Sequence, residues 1–237
     1  MGSRPDVRGK RKGPRSRPAG TVHRLERPLG LYVVTDEGLS RGLTHTQLAQ
    51  RAVEGGAGVI QLRDKSMGGR KLLEHALAIR RITRAAGRLF IVNDRLDIAL
   101  ASGADGVHLG QEDMPLKHAR ALAPKGFIIG VTVHDVDEAL AAEKGGADYV
   151  GLSPVFVTGS KSDAGAACGL EMVRRVKGAI RIPVVAIGGI NLSNARSVLE
   201  AGADGLAVIS AVVGQPDVGA AARCLRAVIT KFNDEKG

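Results

Sequence analysis

The chain has 237 residues with a 44% apolar fraction, and only 3% of its residues are aromatic, so one globular domain must build its core from aliphatic side chains. The net charge is +10, yet nine Lys and Arg against Asp6 and Glu26 give residues 1–28 a charge of +7 and leave +3 for the rest. An apolar run of about 18 residues and a secretory signal are both missing, which argues against a membrane span and export, while Cys168 and Cys224 lack metal-ligand spacing and fit a reduced cytosol.

Residues 1–28, with RGKRKGPRSRP at their centre, are rich in Pro, Gly and Arg and carry no apolar period. Such a segment has nothing to bury against the entropy of ordering and is expected to be disordered. A solvated extension is favoured over a nucleic-acid contact, because no aromatic or base-reading motif accompanies the charge. A transit peptide would be richer in Ser, and Asp6 breaks the myristoylation pattern.

Residues 29–237 read as a single domain. Short β-branched runs recur: LYVVT (31–35), GVIQL (58–62), LFIV (89–92), GVHL (106–109), FIIGV (127–131), YVGL (149–152), PVVAI (183–187) and LAVI (206–209). None alternates cleanly with polar residues, so each predicts a strand buried on both faces. Helical patterns such as THTQLAQRAVEGG and KLLEHALAIRRITRAAG lie between most of them. Eight strands with intervening helices predict an α/β fold, the closed (β/α)₈ TIM barrel, whose usual size is about 200–250 residues. A weak repeat agrees: EGGAGVIQL, ASGADGVHL, KGGADYVGL and EAGADGLAVI each end a helix on glycine and enter an even-numbered strand.

Barrels of this class carry their sites where the strands end, on the βα loops. Polar residues gather there: Gln61, Arg63, Asp64 and Lys65; Asn93, Asp94 and Arg95; Gln111, Glu112 and Asp113; Thr132 and His134; Ser153, Thr158, Ser160 and Lys161; Gly188 and Gly189; and Ser210. AIGGIN after the seventh strand and Ile209-Ser210 after the eighth suggest a phosphate cradle built from backbone N–H groups. Asp94 and Asp113 follow neighbouring strands and can face one Mg²⁺, although each could instead cap a helix. Arg63, Lys65 and Lys161 exceed the needs of one phosphate; a pyrophosphate arriving with Mg²⁺ would balance them, and an exposed loop pair is the plainer alternative for the first two. His108 reads as a core histidine by default, and His134 equally as a helix-start residue or a proton donor. Cys168 reads as a bystander thiol.

The motifs VIQLRDK, FIVNDRLDIA, GVHLGQED, GVTVH, GADYVGLSPVFVTGSK, IPVVAIGGI and GADGLAVISA fall in this order at strand ends. On them the chain resembles the thiamine-phosphate synthase family over roughly residues 31–213. The resemblance implies a transferase coupling hydroxymethylpyrimidine pyrophosphate to thiazole phosphate. It implies that Gln61, Leu62, Arg63, Asp64 and Lys65 hold the pyrimidine pyrophosphate, completed by Asn93, Thr132 and Lys161, and that Arg63, Lys65, Lys161 and Thr132 serve the chemistry. Asp94 and Asp113 then hold Mg²⁺, and Thr158, Gly159, Ser160, Gly189, Ile209 and Ser210 form the thiazole-phosphate site. Val157 and Gly159 depart from the family's usual PTxTK, Thr132 replaces the more usual Ser, and Ser153 stands where Gly is common. Small-molecule substrates are the expected partners, with neither membrane nor nucleic acid, a cytoplasmic location, and a homo-oligomer as a possible assembly. Two rivals are a thiazole tautomerase of the same fold and a non-catalytic regulatory barrel with a nucleic-acid-contacting tail.

Overall fold

The structure is a computed structural model that describes residues 29–159 and 166–236; the basic segment 1–28, Ser160 and Lys161 lie outside the described residues. Eight parallel strands close into a barrel in sequence order, β1 pairing with β8. They are β1 (Gly30–Thr35), β2 (Val59–Leu62), β3 (Leu89–Asn93), β4 (Gly106–Leu109), β5 (Ile128–Val133), β6 (Tyr149–Leu152), β7 (Val184–Ile187) and β8 (Gly205–Val208). The outer ring comprises α1 (His45–Glu54), α2 (Gly69–Ala85), α3 (Leu96–Ser102), α4 (Leu116–Leu122), α5 (Val136–Lys144), α6 (Gly169–Ala179), α7 (Ala195–Glu200), the short α8 (Ser210–Val213) and α9 (Val218–Asp234). All eight expected strands are present. Among the described residues, no helix is long and apolar enough to cross a membrane.

Strand ends differ from expectation at three site residues: β3 runs on to Asn93, β8 stops at Val208 before Ile209, and β5 extends through Thr132. The fifth run was expected to stop at Val131, but β5 pairs with β6 through Thr132 and Val133. Thr132 is therefore a strand residue with a fixed direction, and its hydroxyl meets His108 inside the barrel mouth.

The helix-to-strand repeat has a structural cause beyond its glycines. Gly56, Gly103, Gly146 and Gly202 all have positive φ, as expected for turns that leave a helix. The Asp of each GAD does more. Asp105, Asp148 and Asp204 accept the backbone N–H of Phe90, Ile129 and Val184 on the preceding strand. Each also takes a cation from an outer helix: Arg80, Arg120 and Lys177. These three stitches close β3–β4, β5–β6 and β7–β8 at the end opposite the βα loops. Gly58 occupies the same place in the first repeat, so β1–β2 has no such carboxylate.

The barrel interior carries rings as well as aliphatics. Tyr32 and Tyr149 share a hydroxyl–hydroxyl bond of 2.9 Å. Gln61 donates to Tyr32, and His108 meets Tyr149 through Nδ1. Burial pushes both phenols well above their ordinary range, so they stay protonated and act as hydrogen-bonding struts. Gly130 makes this possible, since a Cβ there would collide with the Tyr149 ring. A void of about 20 Å³ is all that these residues leave. The floor beneath the βα loops is thus packed and polar in its middle.

Candidate active site

Two cavities open on the βα-loop face, and Ser153 lines both. The smaller, about 330 Å³, is lined by Arg63, Lys65, Asn93, Asp94, Asp113 and Thr132, with Gln111, Glu112 and His134 beside them. The larger, about 470 Å³, is lined by Thr158, Gly159, Gly188, Gly189, Asn191, Ile209 and Ser210, among others. Cationic and carboxylate side chains line the first; backbone and small residues dominate the second.

Asp94 enters the smaller cavity because the chain turns left-handed immediately after β3. Its φ is +60, and among the described residues it alone takes positive φ without being glycine. That conformation costs a non-glycine residue about 1 kcal/mol, and Asp tolerates it better than most. The expected alternative, helix capping, is not what either carboxylate does. The N-cap of α3 is Arg95 and that of α4 is Pro115, neither with a side-chain cap bond. Asp113 instead accepts the N–H of Gly110 at 2.7 Å and folds its own loop.

Burial first, then a hydrogen bond and repulsion from Asp113, raise the Asp94 carboxyl to about 7; Lys65 and Arg63 offset part of this. Two carboxylates that resist joint ionisation form a ready seat for a divalent cation. Among the described residues no group of three or more His, Cys, Asp or Glu is disposed to hold a metal. Mg²⁺ fits such a pair when substrate oxygens and water complete its shell.

Arg63 reaches the cavity while its guanidinium stands 3.6 Å from Asp36, a residue after β1 that the sequence reading passed over. Three neighbours expected alongside it are placed otherwise. Leu62 is buried in β2 with the opposite parity to Gln61 and lines neither cavity, so only its main chain can serve a ligand. Gln61 points into the barrel, onto Tyr32, below the cavity. Asp64 turns away: one oxygen accepts from Ser66 and Met67, the other meets His45. Burial raises its carboxyl, but those hydrogen bonds outweigh it and hold it at about 2. Asp64 therefore organises the loop that presents Arg63 and Lys65.

The larger cavity owes its shape to the Gly188-Gly189 turn. Gly189 has φ +64, and a Cβ on it would sit 2.7 Å from the Val157 carbonyl oxygen. Asn191 and Asn194 both donate to the Gly189 carbonyl from the far side. The opening turn of α8, Ile209 to Ala211, completes the wall. Backbone approaching this closely, beside a helix start, is the arrangement expected of an anion cradle.

His108 is a satisfied interior histidine, bonded at both nitrogens. His134 bonds Glu138 at the start of α5 while also lining the smaller cavity. Burial pushes the Cys168 thiol up, away from a reactive thiolate. Ser153 was not expected to join the two cavities; its place is visible only once β6 and β7 are side by side.

The family model for thiamine monophosphate synthase matches residues 31–212. A thiamine-phosphate synthase of Methanocella arvoryzae is 65% identical over 202 residues, covering 85% of this chain and 95% of the relative. Another, from Methanoculleus marisnigri, is 61% identical over 196 residues, or 83% of this chain and 93% of its own. Among solved structures, thiamine phosphate pyrophosphorylase from Pyrococcus furiosus is 47% identical with a TM-score of 0.81, covering 87% of this chain and 98% of that one.

Proposed function

Because the chain belongs to the thiamine monophosphate synthase family, we propose that it joins hydroxymethylpyrimidine pyrophosphate to thiazole phosphate, forming thiamine phosphate and pyrophosphate. The observation that carries this for the present chain is the pair of unlike anion chambers meeting at Ser153. A tautomerase acting on thiazole phosphate alone would have no use for the cationic chamber.

In this reading Arg63, Lys65 and Lys161 bind the pyrophosphate, and Asn93 and Thr132 fix the pyrimidine. Thr158, Gly159, Ser160, Gly189, Ile209 and Ser210 hold the thiazole phosphate. Asp94 and Asp113 would hold Mg²⁺, which when bound neutralises charge on the leaving pyrophosphate. The bond from the pyrimidine methylene to the pyrophosphate oxygen breaks, and the leaving group keeps the electron pair. The ring stabilises the resulting cation until the thiazole nitrogen attacks it. No strong base is required; Arg63 and Lys65 stabilise the charge that develops on the leaving oxygen. Both ends of the new bond are held in adjoining chambers, so the attack becomes effectively unimolecular.

The test is direct. Purified protein with both substrates and Mg²⁺ should yield thiamine phosphate and pyrophosphate in equal amounts. Failure to form either product across a metal titration would sink the reading.

A further inference from the structure

His45 is the first residue of α1, and its imidazole is wholly buried behind the 62–67 loop. Its Nδ1 lies 2.7 Å from the Thr35 hydroxyl and its Nε2 lies 3.2 Å from Asp64 Oδ2. The other Asp64 oxygen gathers the N–H groups of Ser66 and Met67. Thr35 Oγ1 is also the acceptor for the N–H of Arg63, at 3.4 Å. The bonds have one consistent polarity. An ionised Asp64 can only accept, so Nε2 carries a proton; in the neutral imidazole Nδ1 then accepts from Thr35, whose oxygen is left to accept from Arg63. Helix α1 is itself anchored by its capping box, Thr44 with Gln47, and by Glu37 accepting the His45 N–H at 2.8 Å. A rigid helix therefore holds the back of a loop whose front, Arg63 and Lys65, lines the cationic chamber.

We propose that His45 is a positioning residue for pyrophosphate capture, clamping the loop through Asp64 and Thr35 so that Arg63 and Lys65 stand over the chamber. This rests on the pyrophosphate reading given above. It differs from a mere packing role, because it requires a donor at the reach of Nε2. Asn and Gln carry the same amide at different lengths: in His45→Gln the amide nitrogen reaches Asp64, and in His45→Asn it falls short.

The test uses the full chain with inorganic pyrophosphate and Mg²⁺, followed by calorimetry, together with steady-state kinetics. His45→Asn should raise the pyrophosphate Kd about tenfold, equivalent to ~1.4 kcal/mol. KM for the pyrimidine substrate should rise and kcat should fall, because Arg63 and Lys65 also stabilise the leaving group, while KM for thiazole phosphate moves less than about twofold. His45→Gln should restore binding to near the unmodified protein. Equal damage in both variants would reduce His45 to a space-filler, and unchanged binding in His45→Asn would overturn the clamp outright. Should His45→Asn fail to fold, Thr35→Val breaks the same chain at nearly constant volume; it should weaken pyrophosphate several-fold, and unchanged binding would refute the proposal. A protein that binds pyrophosphate with this Asn/Gln contrast yet forms no thiamine phosphate would retain the clamp and lose the functional reading.

Discussion

Replacing Gly189 with alanine places a methyl group where two loops already touch. The new Cβ would lie 2.7 Å from the Val157 carbonyl oxygen and 2.8 Å from Phe156 Cβ. Neither neighbour is the free end of a flexible side chain, so the 156–159 loop must retreat. Two costs add: about 1 kcal/mol for alanine at positive φ, and ~1–3 kcal/mol for overpacking. Gly87, after α2, separates them, for it has the same φ of +64 with nothing within 4 Å of its Cβ position. Gly87→Ala should therefore show the backbone cost alone. At about 2–4 °C per kcal/mol for a domain of this size, Gly189→Ala should lower Tm by ~4–16 °C, against ~2–4 °C for Gly87→Ala. The retreating loop carries Thr158 and Gly159, so KM for thiazole phosphate should rise by at least about tenfold. Pyrophosphate binding should not move. Equal Tm values for the two variants, or an unchanged KM in Gly189→Ala, would refute the cradle geometry.

Other expectations concern the cationic chamber and the barrel's opposite end. The Asp94 carboxyl stands at about 7, above its unfolded value, so its stability contribution is full below about pH 4 and lost as pH rises through about 7. Mg²⁺ requires the ionised form; its apparent affinity should therefore rise about tenfold between pH 6 and 8, read as a larger metal-induced Tm shift, and a flat profile would dismiss the carboxylate pair. Lys161→Ala should reduce turnover by about 100-fold with little change in thiazole-phosphate binding, as for loss of one charge-stabilising donor; normal turnover would mean the pyrophosphate lies elsewhere. Asp105→Ala leaves Arg80 without its buried partner and the Phe90 N–H without an acceptor. It should cost ~3–5 kcal/mol in chemical denaturation with kcat/KM preserved, and a purely kinetic defect would contradict its structural role.

The eight strands were legible because each is a short β-branched run between helical periods, a pattern that survives burial on both faces. The same burial hid their parity. In VIQL every side chain is buried, so nothing in the spelling says that Gln61 faces the barrel and Leu62 the helices. QLRDK likewise reads as five equal candidates, yet Asp64 turns backwards to His45, a contact set by the packing of α1 that no local spacing encodes. The GAD aspartates were visible only as turn residues; their partners lie on a neighbouring strand and an outer helix. The two carboxylates and the paired glycines were found from strand order alone, since a closed barrel brings consecutive loop ends together. Ser153 was placed on the same rim, but its position between two clefts was not legible there.

That shared wall has a thermodynamic consequence. A molecule with one end in each chamber and a linker of the right length past Ser153 binds its second end at a high effective concentration, without a second loss of translational freedom. Its affinity should approach the product of the two separate affinities, scaled by that concentration. In the proposed reading thiamine phosphate spans both chambers in this way, lacking only the pyrophosphate, and should bind more tightly than either of its halves alone. A bivalent analogue that keeps both anions would exploit what catalysis must relinquish at each turnover.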